Sequence, residues 1–192
     1  GVSFRELKKK YKDGNELNGK TLGIIGFGRI GQGVAKRALG LGMKVVASDP
    51  FVADANIKRS IPDHSDVYVT IQTTSLENVL QNSDFITLHM PLPYDKKPVI
   101  NKKEIDLMKD GVIIINVSKG GVLNEDDLID ALNKGKVAFA GIDVFCSEPN
   151  PREDLLQHEQ VSVTPHVGGA TIEAQERISI TLANEIIKFF KT

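Results

Sequence analysis

Three polar side chains in the second half of the 192-residue chain are of types that work together on an alcohol: Lys119 in SKGG, Glu148 in CSEP and His166 in TPHVGG. An imidazole titrates near neutrality, so His166 suits a base that takes a hydroxyl proton while hydride leaves the adjoining carbon. A carboxylate on the other ring nitrogen fixes the tautomer and stabilises the imidazolium. A cation such as Lys119 holds a substrate carboxylate and polarises a carbonyl. Taken singly, each residue also has a plain reading. His166, between Pro165 and a glycine pair, is a loop cap, Glu148 is a surface acid before Pro149, and Lys119 is a solvated lysine.

Hydride chemistry needs a carrier, and the first half of the chain holds the motif for one. Gly26-Phe27-Gly28-Arg29-Ile30-Gly31 is a G-x-G-x-x-G run that follows an apolar strand and opens a helix, the context that gives the motif meaning. In that context Gly26 permits the tight turn, Gly28 lets the backbone approach a pyrophosphate, and Gly31 lets helix and strand pack closely. The helix start offers free N–H groups and a positive dipole end to the phosphates. Asp49 follows 18 residues after Gly31, at the end of the second strand. A carboxylate there accepts from the ribose hydroxyls and repels a 2′-phosphate, which favours NAD over NADP.

Positioning these residues falls to an alternation of short apolar runs and helical patterns. Strands are expected at 21–26, 44–48, 67–71, 85–88, 112–117, 137–144 and 161–164. Helices are expected at 30–41, 76–81, 104–108 and 125–133, with a long closing helix at 171–190. The pattern reads as an α/β fold, a doubly wound Rossmann-like parallel sheet with helices on both faces. In such a sheet the carboxyl ends of the strands share one crevice, where Lys119, Asp143, Glu148 and His166 would meet. Residues 50–66 and 145–160 show no clear period. Residues 1–20 are polar and basic, with Lys8, Lys9, Lys10 and Lys12, and read as a short helix or linker.

Composition narrows the alternatives. Lys plus Arg is 24 against 25 Asp plus Glu, a net charge of −1, so nothing draws the chain as a whole to nucleic acid or an anionic membrane. A hydrophobic content of 41% is enough for a full core. The single cysteine, Cys146, excludes an internal disulfide and a cysteine-based zinc site, and no metal site is expected. No apolar run approaches the ~20 residues of a membrane span. The opening GVSFRELKKKYKDG has no signal-like apolar region, so the expectation is a cytoplasmic protein. His64 and His158 lie in irregular charged stretches and read as solvated.

On these residues the chain resembles the D-isomer-specific 2-hydroxyacid dehydrogenases in their nucleotide-binding portion. The resemblance rests on GKTLGIIGFGRIG (19–31), LGMKVVASDP (41–50), SDFITLHMPL (83–92), LMKDGVIIINVSKGG (107–121), AGIDVFCSEP (140–149) and TPHVGGATIEAQ (164–175). The last stretch is most similar to the 3-phosphoglycerate dehydrogenases of that family. The resemblance implies NAD as cofactor and a small 2-hydroxy or 2-oxo acid as substrate. It makes His166 the general acid/base, Glu148 its partner and Lys119 the substrate-binding cation. It puts the pyrophosphate against Arg29 and Ile30, and the adenosine ribose on Asp49. His89, Met90, Pro91, Val117 and Ser118 fall along the nicotinamide, with Asp143 on its carboxamide and Gly168 nearby. It further implies a homodimer formed largely through this domain.

Two departures from the family pattern matter. Position 119 is lysine where the family has arginine, which keeps the charge and loses the planar fork. The chain is also short for a family with a separate substrate domain: residues 1–20 read as the linker or helix from an absent substrate domain, and 21–192 as the NAD-binding domain. Helix 171–192 would cross back to that substrate domain. The leading expectation is oxidation of 3-phosphoglycerate to 3-phosphohydroxypyruvate. The alternatives are a hydroxypyruvate or glyoxylate reductase, another dehydrogenase of the family, or an NAD(H)-sensing interaction module without turnover, as in the related C-terminal-binding corepressors.

Overall fold

The computed structural model describes residues 3–10, 12, 14–59, 63 and 65–191; His64 lies outside the described residues. A short exposed helix, α1 (Phe4–Lys10), precedes the first strand, β1 (Thr21–Ile25). There follow α2 (Arg29–Gly40), β2 (Lys44–Ser48), β3 (Asp54–Arg59), β4 (Val67–Gln72), α3 (Leu76–Asn82), β5 (Phe85–Leu88) and α4 (Lys102–Leu107). The chain continues through β6 (Val112–Asn116), α5 (Glu125–Asn133), β7 (Val137–Ile142), α6 (Glu153–Leu156), β8 (Val161–Val163) and α7 (Ile172–Phe190).

Six strands form one parallel sheet in the order β2-β1-β5-β6-β7-β8. The chain runs outward from β1 to β2, then returns to β5 on the other side of β1. That reversal opens a crevice at the carboxyl ends of β1 and β5, where ligands bind in doubly wound sheets. The strands of the core are apolar at successive positions because both faces are covered there. Leu22 and Ile24 face Ala35 and Ala38 of α2 in one cluster; Ile25, Ile86, Leu88 and Ile114 face α3, α4 and α5 in the other. Each buried leucine or isoleucine of these clusters contributes on the order of 1.5–3 kcal/mol.

Local sequence sets the helix ends. Asn101 caps α4 in a capping box with Glu104, and Asn124 caps α5 by accepting from the N–H groups of Asp126 and Asp127. Thr171 caps α7 through the Ala174 N–H, and Gly42, at φ 75°, ends the turn after α2.

The structure departs from the sequence reading at β3 and β4. These pair antiparallel in a separate two-stranded sheet, Ala55 opposite Ile71 and Ile57 opposite Val69. Residues 67–71 are therefore a strand outside the parallel sheet, and part of the unassigned 50–66 stretch is its partner. Alternation over Ala55 and Ile57 alone is too short a signal without β4 beside it. With β4, Ile57 and Ile71 bury together against the α2 side of the core.

The α2 face of the sheet is open beyond β5. Phe85, Ile113 and Phe139 stand in register across β5, β6 and β7, and Phe139 is 54% exposed. Helix α7 contributes no buried residue, and Ile178, Leu182, Ile186 and Phe190 are all exposed. Among the described residues no helix is long and apolar enough to cross a membrane.

Candidate active site

The turn after β1 is built by its glycines. Gly26 has φ 92°, in the left-handed region, and a side chain there would run into the His89 carbonyl. A side chain at Gly31 would strike the Gly26 carbonyl oxygen, so α2 lies directly on the turn. Gly28 differs: nothing lies within 4 Å of the place where its side chain would project. It is also the N-cap of α2 and supplies no side-chain cap, so the first N–H groups of the helix are left for a ligand. Arg29 and Ile30, exposed at that helix start, flank the backbone cradle, whose free N–H groups suit an anion such as a pyrophosphate.

Asp49 follows β2 and stands beside this turn. Its Oδ2 accepts the Phe27 N–H at 2.7 Å, and its Oδ1 accepts those of Phe51 and Val52 at 2.8 and 3.1 Å. A carboxylate offers roughly four acceptor positions, so about one remains for a ribose hydroxyl while the negative charge stays in place. The cradle and this acid together fit a dinucleotide without a 2′-phosphate.

Beside the turn lies a cleft of about 540 Å³, lined by Ile30, His89, Met90, Pro91, Leu92, Val117, Ser118 and Lys119. All but Leu92 are residues that the motifs single out. His89 is held by a 2.9 Å bond between its Nε2 and the Thr87 hydroxyl, while its Nδ1 is buried with no partner among the described residues. Burial holds this imidazole below the usual histidine range. An unpaired lone pair costs less than an unpaired buried N–H, so the tautomer that fits carries its proton on Nε2 and donates it to Thr87.

The carboxyl ends of β6, β7 and β8 carry three loops that brace one another. After β6, the buried Asn116 accepts from the backbone N–H and hydroxyl of Ser118 at 3.2 and 2.9 Å, holding the turn that ends in Lys119. After β7, Asp143 is 3% exposed. It accepts from the Thr164 hydroxyl at 2.6 Å and from the N–H groups of Val167 and Gly168 at 2.8 and 3.0 Å. Burial alone would raise this carboxyl, but those donors outweigh it and hold it below the usual carboxylate range. Asp143 thereby ties down both flanks of His166, which itself has φ 55°, a conformation uncommon for a side chain of its size.

His166 and Glu148 meet directly. His166 Nδ1 lies 2.8 Å from Glu148 Oε2, and the other carboxylate oxygen accepts the Phe145 N–H at 2.9 Å. The Phe145 bond first, and then the His166 bond, hold Glu148 below the usual carboxylate range, with the charge of Lys119 adding to the effect. An ionised Glu148 accepts from Nδ1–H and leaves His166 Nε2 as the basic nitrogen. A side chain at Gly120 would run into the Phe145 carbonyl, so the loop bearing Lys119 lies directly against the loop bearing Glu148.

The structure thus groups Lys119 with the cleft residues, and Glu148, His166, Asp143 and Gly168 on the two adjoining loops. Sequence reasoning missed Asn116, Thr164 and the anchoring bonds of Asp143. A polar residue closing the apolar VIIIN run was the one available signal. Cys146 is not a nucleophile at neutral pH: partial enclosure and the neighbouring Glu125 carboxylate push its thiol up to about 11. His158 is half-buried and accepts the Gln160 N–H, rather than being solvated. Among the described residues no group of three or more His, Cys, Asp or Glu side chains is placed to hold a metal.

Comparison with known proteins gives one answer at the level of family. Residues 3–168 match the model of the D-isomer specific 2-hydroxyacid dehydrogenase, NAD binding domain. A hydroxypyruvate reductase of Thermotoga maritima is 45% identical over 97% of this chain and 59% of its own length. A D-3-phosphoglycerate dehydrogenase of Bacillus subtilis is 39% identical over 99% of this chain and 34% of its own. Among solved structures, a Staphylococcus aureus formate dehydrogenase in complex with NAD superposes with a TM-score of 0.78 at 29% identity, covering 96% of this chain and 52% of that one. The chain spans less than two thirds of the length of each of these relatives.

Proposed function

Since the chain belongs to the D-isomer-specific 2-hydroxyacid dehydrogenases, as their NAD-binding domain, we propose that it provides the acid/base and cofactor half of an active site for a D-2-hydroxy acid. The observation that carries this reading is the 2.8 Å contact between His166 Nδ1 and Glu148, next to the loop that bears Lys119. In the oxidative direction, His166 Nε2 takes the proton of the substrate hydroxyl as the C–O bond gains double-bond character. Bound NAD supplies the acceptor for the hydride that leaves the same carbon. Glu148 holds the ring in the tautomer that leaves Nε2 basic, and it stabilises the imidazolium once formed. Lys119 holds the substrate carboxylate through charge-assisted bonds, one point contact in place of a guanidinium fork.

The substrate we favour is 3-phosphoglycerate, oxidised to 3-phosphohydroxypyruvate in the supply of serine. The TPHVGGATIEAQ stretch and the phosphoglycerate dehydrogenases among the relatives support it. The second reading is reduction of hydroxypyruvate or glyoxylate, favoured by the Thermotoga relative at 45% identity and by a glyoxylate reductase of Thermococcus litoralis at 42%. NADH oxidation assayed on phosphohydroxypyruvate, hydroxypyruvate and glyoxylate decides between them. The favoured reading requires the highest kcat/KM on the phosphorylated acid, and a higher value on either other acid contradicts it. Lys119→Ala should lower kcat/KM on the preferred acid roughly 10–150-fold, the worth of a charge-assisted bond of about 1.5–3 kcal/mol.

A homodimer belongs to the same reading. It is supported by the open apolar surface on β6 and β7 around Phe139, which a second copy would cover.

A further inference from the structure

Residues 146–152 are fastened at both ends to the first turn of α5. At one end, Glu125 Oε1 accepts the Cys146 N–H at 2.8 Å. At the other, the Arg152 guanidinium donates to Asp126 at 2.5 Å, and to Asp154 at 2.7 and 2.8 Å. Glu148 lies between these two fastenings. The Phe145 N–H that holds its Oε1 belongs to the residue just before the Glu125 attachment. Neither Glu125 nor Arg152 lines the cleft.

We propose that Glu125, braced by the Arg152–Asp126 pair, is a positioning residue for the Glu148–His166 pair. By accepting the Cys146 N–H it sets the turn on which Phe145 and Glu148 meet, and so sets the carboxylate against His166 Nδ1. The proposal rests on the reading of Glu148 and His166 as an acting pair. Glu148 is on an irregular loop and has two fixed contacts of its own. Freed at Cys146, the backbone can swing, and the carboxylate no longer holds the imidazole in one tautomer. The amide oxygen of a glutamine can also accept the Cys146 N–H, in a weaker bond than a carboxylate's, so Glu125→Gln keeps the acceptor without the charge.

The test is the ¹⁵N signature of the His166 ring in the full chain, which reports which nitrogen carries the proton. It is read at a pH where the ring is neutral, with NADH affinity measured alongside. In the unaltered chain the Nδ1–H form should dominate, and Glu148→Ala should move the signature towards Nε2–H. Glu125→Ala should move it the same way and leave NADH affinity unchanged, while Glu125→Gln should restore the original signature. Arg152→Gln, which frees the other end, should shift it in the same direction and serves as the deciding variant if Glu125→Ala does not fold. A folded Glu125→Ala or Arg152→Gln chain with the original signature overturns the positioning role alone. An original signature in Glu148→Ala overturns the pair itself, and the positioning role with it.

Discussion

At the residue scale, side chains of the same type do different work according to burial. His166 is exposed and has a carboxylate partner, whereas His89 is half-buried and its ring, among the described residues, bonds to the Thr87 hydroxyl. Because burial depresses His89 in the folded state, the unfolded chain binds the proton more readily. Stability therefore falls as pH drops below about 6.5, the ordinary histidine value, and levels off below the depressed folded one. Urea titrations between pH 7 and 5 should show that loss, and His89→Phe should flatten the part due to this ring. An unchanged pH slope in the variant would mean that His89 is not the group held neutral. Lys119, Glu148 and His166 were legible in the sequence because short motifs carry them. The bonds of Asp143 to Thr164, Val167 and Gly168 were not, since they join residues 21 to 25 positions apart that only the sheet brings together.

At the scale of elements, the turn between β1 and α2 separates a glycine needed for packing, Gly31, from one that faces open space, Gly28. Gly31→Ala puts a methyl against the Gly26 carbonyl and should lower the melting temperature, taking NADH binding with it. Gly28→Ala meets no protein atom within 4 Å, so it should melt like the parent and still lose NADH affinity by tenfold or more (about 1.4 kcal/mol). Thermal melts and calorimetry on the two variants separate these outcomes. Normal NADH binding by Gly28→Ala would place the pyrophosphate elsewhere. The glycine spacing showed this turn in advance because Gly26 and Gly31 each have a steric demand there. The β3–β4 hairpin gave no such notice. Its two core positions in β3, Ala55 and Ile57, acquire meaning only opposite Val69 and Ile71.

At the scale of the whole molecule, the sheet is closed on both faces around β1 and open on one face around β7. VAFAGI is apolar throughout and reads as buried on both sides, yet the structure covers one side and leaves Phe139 54% exposed. Sequence pattern reports what a residue is suited to, and among the described residues Phe139 is left largely uncovered. If a second copy covers it, Phe139→Asp should shift the chain from dimer to monomer in light scattering at micromolar concentration, with NADH affinity retained. A monomer in the parent chain would remove the dimer from this account.

The most direct test of the central claim, a dinucleotide site built on Gly26–Gly31 and Asp49, is calorimetric titration of the chain with NADH and with NADPH. One site per chain is expected for NADH, and at least tenfold weaker binding of NADPH, because the Asp49 charge would face the 2′-phosphate. A folded chain that binds neither, or binds both equally, would contradict that claim.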